Sequence, residues 1–124
     1  MWSPDNENFA FLIYDFKDKK VKLLNYSFHT PSDKTNYYPK SWFVDCSNDL
    51  IHWFTVDVRK DEIEMNGCNI SHVFNCQNKP NDYFRFVRIT SNGPSWNSKQ
   101  NFYFDISAIE FFGFLIKKKF SFPN

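Results

Sequence analysis

The chain has 124 residues and a formal net charge of +1, with 15 Lys and Arg against 14 Asp and Glu. That is one domain, and its 42% hydrophobic and 21% aromatic residues can fill a core. The balanced charge argues against a dedicated nucleic-acid binder, which needs a basic excess on one face, and no apolar run is long enough to span a bilayer.

Short apolar or alternating runs, separated by polar turn clusters, predict an all-β sandwich or barrel. Residues 9–16 read as a strand with Leu12, Tyr14 and Phe16 on one face, and Asp18, Lys19 and Lys20 as a turn. Residues 21–28 follow, and their apolar phase shifts between Leu23 and Tyr26, which predicts a bulge. Residues 30–38 are a loop. Residues 41–47 place Trp42, Val44 and Cys46 on one face. Asn48 and Asp49 turn the chain into a strand over 53–58, opened by Trp53. Residues 59–68 are mostly polar and carry the turn dipeptide Asn66-Gly67. A short strand over 71–75, a loop over 77–82 and a strand over 84–90 come next. A polar loop over 91–100 holds Trp96, read as a plug at one end of the sandwich. A strand over 102–112, with a bulge near Ser107, closes the sheet. Trp42, Val44, Trp53, Trp96, Ile109 and Phe111 are the expected structural core.

Catalytic signals are absent from the sequence. His29, His52 and His72 share no metal-ligand spacing with one another or with cysteine, so no metal or cofactor is expected. Three glycines leave little material for a phosphate cradle. Asp57, Asp61, Glu62 and Glu64, beside Arg59 and Lys60, read as a solvated charged edge. Binding is the remaining role, and loops on a β scaffold are its usual seat. The candidate is the 30–38 loop, where Lys34 and Asn36 offer donors and Tyr37 and Tyr38 offer flat faces with polar tips.

Cys46, Cys68 and Cys76 are odd in number and form no Cys-x-x-Cys pair, so a reduced, cytoplasmic setting is expected. Residues 1–5 lead straight into polar sequence without a secretory signal. The sequons at Asn25 and Asn69 keep an extracellular or cell-surface alternative open. The bias towards Phe, Lys, Asn and Ile fits an AT-rich coding sequence, so part of the aromatic content carries no binding signal.

The order of several pieces is specific. Pro39-Lys40-Ser41-Trp42, then Ser47-Asn48-Asp49, then Trp53, resembles the core of discoidin-like domains. These are the coagulation factor five/eight C-type modules of the galactose-binding-domain-like superfamily, and the likeness is to copies in intracellular protozoan proteins. Tyr14-Asp15-Phe16, Tyr26-Ser27-Phe28, the run from Phe84 to Ile89, Trp96-Asn97 and the run from Ile109 to Gly113 follow in family order. The resemblance covers residues 2–113 and leaves 114–124 as a basic, aromatic C-terminal tail. It implies a non-catalytic jelly-roll β-sandwich, here without the family's first strand, with a sheet edge open to association. It also implies recognition of a protein partner in an intracellular adaptor. The alternative is a carbohydrate-binding or cell-surface adhesion module.

Overall fold

The computed structural model describes residues 10–35, 37–99 and 102–117. Its strands are β1 (Phe11–Asp15), β2 (Lys19–His29), β3 (Trp42–Ser47), β4 (Phe54–Arg59), β5 (Ser71–Asn75), β6 (Phe86–Ser91) and β7 (Ala108–Lys117). They form two antiparallel sheets, ordered β1-β6-β3-β4 and β5-β2-β7. The chain is an all-β jelly-roll sandwich, as the periodicity predicts. The first strand of the family pattern would precede β1, outside the described residues.

Alternation sets the inner faces. On β3, Trp42, Val44 and Cys46 point inward, and on β6 Val87 and Ile89 do the same. They pack against Val21, Leu23, Tyr26 and Phe28 of β2 and Phe74 of β5. A strand of period two cannot bury Leu23 and Tyr26 on one face without an extra residue. The expected bulge supplies it, since the β2–β7 register shifts between Leu23 and Asn25. Gly113 pairs with Leu23 beside that bulge. A Cβ there would sit 2.0 Å from the Lys22 carbonyl oxygen, so the close approach needs glycine.

Several boundaries differ from the sequence reading. The first turn is residues 16–18, with Lys17 at φ 65, and Lys19 and Lys20 already pair with β7. Residues 102–107 hold no strand. β7 begins at Ala108 and runs to Lys117, so pairing with β2 continues into residues 114–117, read above as tail. Residues 118–124 lie outside the described residues. Within the polar 59–68 stretch, a short 3-10 helix (Ile63–Met65) sinks Met65 into the core.

Two core assignments change. Trp53 is only half-buried. It stands one residue ahead of β4, out of the inward register, and its ring lies on the outer face under the Arg88 guanidinium at 3.9 Å. Asp57 is not solvated edge but fully buried. A register shift between Val44 and Asp45 turns both Val56 and Asp57 inward. The Asp57 carboxylate accepts hydrogen bonds from the Tyr26 hydroxyl at 2.6 Å and Arg59 Nε at 2.9 Å. Tyr26 in turn accepts from Trp42 Nε1 at 2.8 Å. Burial, then the bond to Asp57, push the Tyr26 hydroxyl's pKa far up, so it donates across the whole working pH range.

Trp42→Ala is expected to cost about 3–5 kcal/mol in denaturant unfolding, through the cavity it leaves. Tyr26→Phe should cost about 1–3 kcal/mol by stranding Asp57 and the Trp42 indole. Trp53→Ala should cost only about 0.5–1 kcal/mol, the worth of an exposed cation–π contact. A Trp53 loss as large as that of Trp42 would contradict this placement. Gly113→Ala should lower Tm by several degrees, because backbone, not a flexible side chain, blocks the new methyl.

Candidate functional site

The two ends of the sandwich differ. At one end, short turns are closed by their own side chains. Ser47 Oγ accepts from the amides of Asp49 and Leu50, and Asp49 Oδ1 accepts from those of Ile51 and His52. His52 also bonds Asp49 at 2.7 Å. Asn48 reaches across to the Tyr83 carbonyl and the Arg85 amide. Arg85 forks onto Asp15 at 2.8 and 3.0 Å, and that bond holds the Asp15 carboxyl down at about 2. The Ser47-Asn48-Asp49 motif is therefore structural.

The other end gathers the long loops, the described residues of 30–41, 60–70 and 92–107. They are cross-linked by hydrogen bonds between residues far apart in sequence. Thr30 is fully buried; its hydroxyl donates to the Gly67 carbonyl at 2.7 Å and accepts from the Ile70 amide at 2.9 Å. The Trp96 amide bonds the Tyr38 carbonyl, and its indole donates to the Glu62 carbonyl at 3.0 Å. Lys40 lies over the Trp96 ring at 4.7 Å. Thr35 donates to Asp105 at 2.5 Å, and the Asp105 amide returns to the Tyr37 carbonyl. Half-buried Trp96 sits where a plug is expected.

Between these loops lies an open cavity of about 480 Å³. Lys34, Thr35 and Tyr38 line it from the first loop, Asn66, Gly67 and Cys68 from the second, and Asn97 from the third. Asn97, at φ 63, is in the left-handed region that asparagine tolerates after the Trp96 bridge. Lys34 is exposed and pairs with no carboxylate among the described residues. The rim thus offers one free cation and two amides, with no acidic side chain in the lining.

The structure sorts the sequence-predicted residues. Lys34 and Tyr38 meet in the cavity, with Tyr38 nearly buried and its hydroxyl accepting from the Thr35 amide at 3.3 Å. Tyr37 is half-buried, edge-on to Tyr103 at 6.1 Å, and is not part of the lining. Asn36 lies outside the described residues. Ile109 and Phe111 pack against the core, partly buried. Asn66, Gly67, Cys68 and Asn97 are additions. The Asn66-Gly67 turn is visible in the sequence, but nothing local shows that it faces Lys34. Among the described residues no three His, Cys, Asp or Glu side chains cluster as metal ligands, and no helix is long and apolar enough to cross a membrane.

No family model and no curated protein matches the chain. Solved structures do. A fragment of a putative chitobiase from Bacteroides thetaiotaomicron superposes with a TM-score of 0.64 at 10% identity, covering 92% of this chain. This chain spans 64% of that fragment's length. CpGH89CBM32-6 from Clostridium perfringens gives a TM-score of 0.54 at 18% identity, over 90% of this chain and 75% of that one. At such identities the common property is the fold, and neither neighbour bears on the likeness to protozoan copies.

Proposed function

We propose that the chain is a non-catalytic carbohydrate-binding module that holds its ligand at the loop end. The observation that carries this reading is the cavity framed by Lys34, Asn66 and Asn97 on three mutually bonded loops. Amide and ammonium groups whose hydrogen-bonding capacity faces solvent suit sugar hydroxyls, and a fixed frame reduces the ordering cost of binding. Lys34 favours neutral or acidic sugars over cationic ones. The similarity to a structure whose name includes CBM32, a carbohydrate-binding module, supports the same class. This reverses the order of the sequence-based expectations, which placed a protein partner first.

A protein-docking role keeps one observation of its own. Among the described residues β7 is an edge strand and exposes Phe112, Phe114, Leu115 and Ile116, and exposed edges recruit strands. Under that reading, binding to a neutral glycan would be absent and self-association or capture would depend on β7.

The test is isothermal titration and a glycan array with neutral and acidic glycans, including galactose and N-acetylglucosamine termini. Lys34→Ala and Asn66→Ala should each weaken binding about tenfold, the worth of a hydrogen bond of about 1.4 kcal/mol, with Tm unchanged. Cys68 offers a second readout. Burial pushes the thiols of Cys46 and Cys76 up to about 12, so at neutral pH both stay protonated and resist iodoacetamide. Cys68, half-buried in the cavity lining, should label first in the native protein. Saturating sugar should slow that labelling. Glycan binding that leaves Cys68 labelling and both variants unaffected would place the site elsewhere.

A further inference from the structure

The outer face of the three-stranded sheet carries a second concavity, of about 280 Å³, which shares no lining residue with the loop-end cavity. Its floor is Ser27 on the central strand β2. Val73 of β5 stands on one side, Glu110 and Phe112 of β7 on the other, and His29 and Ser71 close one end. Register explains the hollow. Ser27 pairs with Val73 on one flank and with Glu110 on the other, so a small side chain lies between two larger ones.

Three features point to a ligand. Ser27 faces outward yet is only 8% exposed, and its hydroxyl bonds no group among the described residues. Glu110 is the lining's one carboxylate and pairs with no cation among the described residues. Phe112 presents an apolar ring, 40% exposed, beside them. The histidine is otherwise engaged. His29 Nδ1 meets the Ser71 hydroxyl and Nε2 meets the Asn69 side-chain oxygen at 3.1 Å. With that oxygen accepting, Nε2 carries the proton and Ser71 donates to Nδ1, so Ser71 keeps only acceptor capacity for a ligand. His29 is thus a strut and not a base with a free nitrogen.

We propose that this groove binds one amino-sugar unit, a pyranose carrying a free ammonium. Phe112 takes the apolar face of the ring, Ser27 and Ser71 bond its hydroxyls, and Glu110 pairs with the ammonium. The charge decides the class. A neutral ring seated here would offer the Glu110 carboxylate hydroxyl donors but leave its charge uncompensated. An ammonium supplies the donor and the opposite charge together. The volume lies at the low end of small-molecule sites, which restricts the groove to a single ring. The site does not depend on the loop-end reading, whose cationic rim selects the opposite charge.

The experiment is amide NMR of the uniformly labelled full chain at neutral pH, titrated separately with glucosamine hydrochloride, N-acetylglucosamine and lysine amide. Glucosamine should shift the amides of Ser27, His29, Ser71 and Glu110. N-acetylglucosamine, with the same ring but no charge, should bind there at least tenfold more weakly. Glu110→Gln should abolish the preference while leaving the loop-end amides of Lys34, Asn66 and Asn97 and the melting temperature unchanged. Shifts confined to the loop end, equal affinity for the two sugars, or tighter binding of lysine amide than of glucosamine would each overturn the proposal. Loss of loop-end binding alone would leave it standing.

Discussion

One buried carboxylate holds the two sheets in register. Asp57 belongs to β4 of the larger sheet, and Tyr26, which donates to it, belongs to β2 of the smaller. A charge taken out of water costs several kcal/mol unless it is paired and its lone pairs are filled. Here the Tyr26 hydroxyl, Arg59 Nε and the Gln77 amide fill them. Arg59 is itself anchored by the Asn75 carbonyl at 2.5 Å and lies over the Phe74 ring at 5.2 Å. Sliding one sheet against the other would break several of these bonds together. Apolar packing alone tolerates such a slip far better, because it is not directional. The network therefore specifies the alignment, and the alignment places the three long loops at one end.

That dependence explains what could be read from the chain and what could not. The β2 bulge was legible because Leu23 and Tyr26 break a period of two that the flanking residues keep. The inward phase of Trp42 and Val44 was legible for the same reason. Asp57 was not. It follows Val56 and precedes Val58, and strict alternation puts it opposite its apolar neighbours, in the solvated row. Only the shift against β3 turns it inward, and that shift belongs to a pair of strands and not to either one. Trp53 failed in the mirror sense. It was expected in the core as the residue that opens a strand, but it stands outside the strand, where a guanidinium can cover one face of the ring.

The candidate site shows the same division. The loop containing Lys34 and Tyr38 could be picked out locally, by its polar composition and its place between strands. Its counterparts could not. Gly67 and Asn97 come from segments roughly thirty and sixty residues further along the chain, and they meet it only because the sandwich folds those loops back to one end. The tyrosines also changed meaning. Read as exposed faces, Tyr37 and Tyr38 instead spend their polar atoms on Thr35, Asp105 and Trp96, and so fix the loop that presents Lys34.

Charge then separates the two concave surfaces. The loop end is framed by Lys34 with no acidic side chain in its lining, while the sheet-face groove has Glu110 and no Lys or Arg. A near-neutral chain can in this way carry two surfaces of opposite preference without a field strong enough to draw either ligand to the wrong one, since screening at physiological salt confines each charge to about 8 Å. The loop frame is cross-linked by backbone bonds, and the groove is floored by a central strand paired on both sides. On the two proposed readings, what discriminates between ligands is the direct contact of one charged side chain with the group it meets.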